Sequence, residues 1–185
     1  SKSAADISKS KNLNTFEEFF TENNVKDKLK NSKYKIDAIV AANVICHVPN
    51  LIDLIKGVDY LLTKKGVFIF EEPYLGSMYE KTSYDQIYDE HIFIFSISSI
   101  IKIFELFNFK LVEAVPQITH GGSMRYVIAR KENDEIVENL NLQKQLLHEK
   151  KKNLDNIDGC LSFKKNCENS KLNLIEKITS IKKKG

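Results

Sequence analysis

The sequence predicts an α/β fold: a partial, Rossmann-like sheet with helices on both faces, followed by a C-terminal helical segment. Three observations carry this expectation. Two short and almost wholly apolar runs, Ile36–Ala42 and Val67–Phe70, have the composition of strands buried on both faces. Between them Leu51, Leu54, Ile55, Val58, Leu61 and Leu62 recur at helical spacing. Strand, helix of about three turns and strand is the order of a βαβ unit in a parallel sheet, whose crossover is right-handed.

The remaining elements follow in chain order. The first residues read as a polar helical segment, and residues 17–31 as a helix with Phe19, Phe20, Val25 and Leu29 as its apolar positions. After the first strand, residues 43–50 form a loop in which Pro49 and Asn50 signal the start of the next helix. Lys64-Lys65-Gly66 is expected to stop that helix. Residues 71–95 read as a long polar and aromatic insertion. Residues 96–107 are helical, with Ser96 or Ser98 as cap. Residues 109–115 and 124–130 then give two strands joined by the 116–123 loop, an antiparallel hairpin at the sheet edge. From about residue 133 glycine nearly vanishes and charge rises. Ile136, Leu140, Leu147, Leu154 and Ile157 are assigned to one helical face, Gly159 to a break, and Leu161 to Ile181 to a last amphipathic helix. The expected division is therefore a core over 1–131, containing the 71–95 insertion, and a helical connector over 132–185.

Bulk properties exclude several classes of function. A chain of 185 residues buries one substantial core. A net charge of +3 is too small for a dedicated nucleic-acid binder, and the lysines at 150–152 and 182–184 read as solvated helix ends. No apolar run approaches the ~20 residues that span a bilayer, and no signal peptide is visible, so no membrane partner is expected. Cys46, Cys160 and Cys167 lack metal-type pairing, and an odd count fits a reducing, cytoplasmic setting.

Two motifs carry chemistry. Tyr88-Asp89-Glu90-His91 gathers a phenol, two carboxylates and an imidazole, and Thr119-His120-Gly121-Gly122-Ser123-Met124-Arg125 sets a flexible Gly-Gly between His and Arg. Ligands of open α/β sheets bind beyond the carboxyl ends of the strands. The Asn43–His47 loop and the Glu72-Pro73-Tyr74 turn each follow a strand, so they are expected to face one crevice over which Tyr88–His91 closes. Each residue also has a plain reading. Asn43 can be a loop cap and Tyr74 a core aromatic. His47 can be a packing residue, and Gly121-Gly122 an ordinary hairpin turn. Arg125 is a bidentate phosphate ligand or a surface ion pair, and Glu71 and Glu72 are a carboxylate pair or polar strand ends. Zinc at Cys46, His47, His91 and His120 matches no standard spacing.

Four segments in order, Asn43–Asn50, Phe70–Leu75, Tyr84–His91 and Thr119–Arg125, resemble the S-adenosylmethionine-dependent C-methyltransferases that act on nucleotide-linked keto-deoxysugars. The resemblance runs along the whole chain and implies a class I methyltransferase core. In that family an N-terminal zinc-binding domain precedes the core and a smaller α/β domain follows it. The glycine-rich cofactor loop, the ribose-binding acidic residue and the zinc cysteines are not in this sequence. The chain is thus expected to be a fragment that begins after the second strand and stops near the last domain, with zinc belonging only to the absent first domain. Asp89 stands where relatives often carry His.

The resemblance implies roles for named residues. C-methylation beside a ketone needs a base for the α-proton and help for the enolate oxygen, and an imidazole suits the base role. His91 is the expected base and Glu90 its orienting partner. Tyr88 donates to substrate or supports the base, and His47 stabilises the enolate oxygen. Ala42, Asn43 and Val44 border the cofactor. Asn43, Tyr74, His120, Gly121, Gly122, Ser123 and Arg125 border the nucleotide sugar. Two other readings stay open: an O- or N-methyltransferase on the same core, and a non-catalytic sugar-binding or assembly module.

Overall fold

The computed structural model describes residues 2–29 and 36–184. Four strands form one mixed sheet: β1 (Ile36–Ala42), β2 (Leu62–Pro73), β3 (Phe109–Gln117) and β4 (Ser123–Arg130), in the order β1-β2-β4-β3. β1 and β2 are parallel, joined through helix α3 (Leu51–Leu61), whereas β4 runs antiparallel to both β2 and β3. The βαβ unit and the edge hairpin are therefore both present.

The helices before β1 are α1 (Lys2–Ser10) and α2 (Glu22–Leu29), and those after β2 are α4 (Leu75–Lys81) and α5 (Ile97–Glu105). α6 (Leu140–Lys151) and α7 (Ile157–Lys184) close the described chain. Side chains alternate across a strand, and in β2 the positions of Phe68, Phe70 and Glu72 are buried while Val67, Ile69 and Glu71 are half-buried. Phe68, Phe70, Tyr126, Phe104 and Phe109 stack into the centre of the core, with α3 and α5 supplying Leu54, Ile55, Val58, Ile97 and Ile100. Among the described residues no helix is long and apolar enough to cross a membrane.

Several boundaries differ from expectation. The helix expected over 17–31 starts only at Glu22, because the Thr21 hydroxyl accepts the Asn24 amide and caps it there. Phe19 is left outside the helix and 87% exposed, and residues 30 and 31 lie outside the described part. β1 is not buried on both faces: it is an edge strand hydrogen-bonded to β2 alone, and Val40 is 72% exposed. Lys64-Lys65-Gly66 does not itself stop α3, which ends at Leu61; it lies inside β2, where the register jump from Ile36↔Leu62 to Ala38↔Val67 absorbs the extra residues. β2 also continues through Glu71–Pro73, so the insertion begins at Tyr74 rather than at Glu71.

The tail is helical, but its apolar face is phased differently. Leu140, Leu147 and Ile157 are exposed, and it is Leu142 and Leu146 that reach the core. Gly159 breaks nothing. It is buried in the first turn of α7, where any Cβ would sit 2.1 Å from the Asn153 carbonyl oxygen.

Candidate active site

Register brings three chain segments to one edge of the sheet. β1 and β2 end there at Ala42 and Pro73, and the pairings Pro73↔Ser123 and Gln117↔Ser123 bring the β3–β4 loop to the same edge. Asn43 leaves β1 in a left-handed conformation (φ 52°), its amide donating to the Glu71 carbonyl, and the chain then tightens into a 3-10 turn at Ile45–His47. The expected convergence at the carboxyl edge is realised.

Two imidazoles meet above that edge. The rings of His47 and His91 lie 5.1 Å apart, and the Tyr88 ring is 4.2 Å from that of His91. Nδ1 of His47 is 2.6 Å from the backbone carbonyl of Glu90, and Nδ1 of His91 is 2.8 Å from that of Gln86. A carbonyl oxygen only accepts, so Nδ1 carries the proton in both rings. In the neutral state Nε2 of His91 is a lone pair, and it accepts the Tyr88 hydroxyl at 2.9 Å. Tyr88 is 47% exposed, so the cluster faces solvent on one side. Glu90 meets His47 through its backbone, not through its exposed carboxylate.

The second group joins β1 to the β3–β4 loop. The Asn43 side-chain amide lies 3.1 Å from Nε2 of His120, which must accept because an NH2 group only donates. A narrow cleft between this pair and the insertion is lined by Ser83, Gln86, Ile94, His120, Gly121 and Gly122. Gly122 (φ 128°) lies so close to α4 that a Cβ would stand 2.5 Å from the Ser77 side chain. Its close approach is therefore to protein. A wider apolar cleft of about 320 Å³, between Phe16, Phe19, Val25, Ile36 and Leu61, lies at the opposite end of β1.

Adjacent glutamates do different work because the pleat sends them to opposite faces. Glu71 accepts hydrogen bonds from Thr119 (2.5 Å), Ser123 (2.7 Å) and Arg125 (3.0 Å), which hold its carboxyl below the usual carboxylate range. Ser123 is buried in this contact, and Arg125 is ion-paired across the sheet. Glu72 is fully buried and accepts from the amides of Val44 (3.0 Å), Ile45 (2.7 Å) and Cys46 (3.3 Å). Sequence reasoning weighed both only as a carboxylate pair or strand ends. The available signal was their position, two consecutive acids at a strand end that must face apart.

Tyr74 is a core residue. It is 6% exposed, and its hydroxyl donates to Glu149 of α6, which also accepts from the Ile97 and Ser98 amides. Burial, with Glu149 beside it, pushes the Tyr74 phenol well above its ordinary pKa. Ala42 and Val44 are exposed on either side of Asn43. Donor atoms of Cys46, His47 and His91 lie within 4.8 Å of one another. Burial and the neighbouring Glu72 push the Cys46 thiol strongly up, which disfavours the thiolate, and Nε2 of His91 is engaged by Tyr88.

The fold is α/β, with polar groups gathered beyond the ends of its strands, the edge where ligands of open α/β sheets bind. Residues 2–114 match the methyltransferase domain family, and residues 118–185 match the C-methyltransferase C-terminal domain. The chain belongs to the methyltransferase domain family, and its residues 118–185 are similar to the C-methyltransferase C-terminal domain. The C-methyltransferase NovU of Streptomyces niveus is 33% identical over 78 residues, a match covering 42% of this chain and 19% of NovU. The chain thus spans about a fifth of that relative's length. Among solved structures, a magnesium protoporphyrin IX methyltransferase from Synechocystis aligns with a TM-score of 0.40 at 18% identity, over 55% of this chain and 48% of that one. A methyltransferase from Anabaena variabilis gives 0.43 at 14% identity, over 60% and 55%.

Proposed function

We propose that these residues form the substrate side of an S-adenosylmethionine-dependent C-methyltransferase site for a nucleotide-linked keto-deoxysugar. The observation that carries this reading is the tautomer of His91. Its Nδ1–H is committed to the Gln86 carbonyl, so Nε2 is the basic nitrogen, aimed at an exposed phenol where a substrate can enter. Such a nitrogen is suited to take an α-proton. Tyr88 supports it and can pass its hydrogen bond to a substrate oxygen. His47, with Nδ1–H fixed on Glu90, can donate to an enolate oxygen only when Nε2 also carries a proton.

S-adenosylmethionine supplies an electrophilic methyl group when bound. Ala42, Asn43 and Val44 form an exposed ledge at the end of β1 that fits one side of it. His120, placed by Asn43, and the Gly121–Gly122 turn would meet the sugar or its diphosphate. Glu71 sets the limits on Ser123 and Arg125: both are engaged, so a phosphate must displace the carboxylate to use them. NovU is by name a C-methyltransferase, which supports carbon as the acceptor.

In a full-length methyltransferase containing these residues, His91→Gln should lower kcat by ~10²–10⁴-fold, the usual worth of a general base. Calorimetry with S-adenosylhomocysteine should show cofactor affinity within about threefold of wild type. Near-normal turnover in that variant would remove His91 from the base role.

A further inference from the structure

We infer that Glu72 is the positioning residue that sets the His47–His91 pair, acting through the peptide at Cys46. Its carboxylate is fully buried and gathers three consecutive amides, Val44 and Ile45 on Oε1 and Cys46 on Oε2. The carbonyl of Cys46 in turn accepts from the amides of Ile92 (2.9 Å) and Phe93 (3.2 Å). The clamped segment is thus followed directly by His47, and the segment tied to its carbonyl is preceded directly by His91. The bond from His47 Nδ1 to the Glu90 carbonyl closes the ring.

None of the bonds made by Glu72 involves an imidazole, so it touches no reacting group and acts only by placing them. Three backbone donors converge on its two oxygens, so the side chain is needed there as an acceptor at both positions. A glutamine keeps one acceptor and turns an NH2 toward amide N–H groups. The inference deepens the proposed function in one respect: its importance for turnover rests on the roles given to the two imidazoles, whereas the placement itself does not.

Glu149 provides the control. It too is buried and holds a helix start through the Ile97 and Ser98 amides, but it belongs to α6 and its bonds do not reach residues 44–46 or 92–93. Nitrogen-15 NMR of the histidine rings in this chain should show Nδ1–H tautomers for His47 and His91 and ring-to-ring contacts between them. Glu72→Gln should abolish those contacts, mix the tautomers and speed amide exchange at Ile92 and Phe93 by about tenfold or more. Glu149→Gln should lower the melting temperature yet leave both rings unchanged. Wild-type ring signals in Glu72→Gln, or equal disturbance by Glu149→Gln, would overturn the inference.

Should Glu72→Gln not fold, hydrogen exchange of the wild-type chain still decides. The amides of residues 44, 45, 46, 92 and 93 should open as one protected unit, and free exchange at 92 and 93 with protection at 44–46 would contradict the linkage. In a full-length enzyme, Glu72→Gln should reduce kcat on the order of a hundredfold with cofactor KM unchanged. Disturbed rings with unaltered turnover would leave the placement standing and refute the role proposed for the pair.

Discussion

At the scale of single residues, chemistry here is decided by which nitrogen carries a proton. His47 and His91 both spend Nδ1–H on backbone carbonyls, so one ring can act as a base only when neutral and the other as a donor only when charged. Glu71 gives a pH dependence. Thr119, then Ser123 and Arg125, depress its folded pKa below the unfolded value. Its contribution is therefore complete above the ordinary carboxylate range and lost as pH falls through the lower folded value. Protection factors of amides in the 119–125 loop should fall in acid, and Glu71→Gln should abolish that pH dependence. That His47, Tyr88, His91 and His120 would gather at one edge of the sheet was legible in the sequence: His47 follows an expected strand, Tyr88 and His91 share the insertion after the second strand, and His120 lies in the expected hairpin loop. Their partners were not, since most are backbone carbonyls, which every residue possesses.

At the scale of elements, caps and packing explain which boundaries could be read. Asn50 accepts the Asp53 amide at the start of α3, and Ser96 forms a reciprocal cap with Ser99 at the start of α5. Both starts were expected from side chains that compete for amides. Ser96→Ala should cost about 1 kcal/mol in urea unfolding, and Asn50→Ala a similar amount. The ends that were misjudged depend on tertiary contacts. Lys64-Lys65-Gly66 reads as a helix stop, yet the bulge opposite Ile36–Ala38 carries it in extended form, and Gly66 is needed because a Cβ would lie 2.8 Å from the Leu62 side chain. β1 has the composition of a central strand and the surroundings of an edge. Its composition reports preference for a covered environment, not which neighbours supply it.

At the scale of the molecule, stability and chemistry separate along the chain. The aromatic centre binds β2, β4, β3 and α5 together, and Phe70 stacks on both Tyr126 and Phe104 at 5.0 and 5.7 Å. Phe70→Ala should cost about 3–5 kcal/mol, the range for emptying an aromatic site in a core. α7 buries only Gly159 among its 28 residues, so truncation after residue 160 should reduce helical circular dichroism while leaving the unfolding midpoint of the core within a few degrees. The site sits where the strands end and the insertion folds back, and its central claim concerns one bond. The direct measurement is exchange of the sugar α-hydrogen with solvent deuterium, followed by mass spectrometry in a full-length enzyme carrying these residues and in its His91→Gln variant. Exchange in the wild type that disappears with His91→Gln is the predicted result. Methyl transfer without exchange or an isotope effect, or exchange that survives the substitution at the wild-type rate, would contradict it.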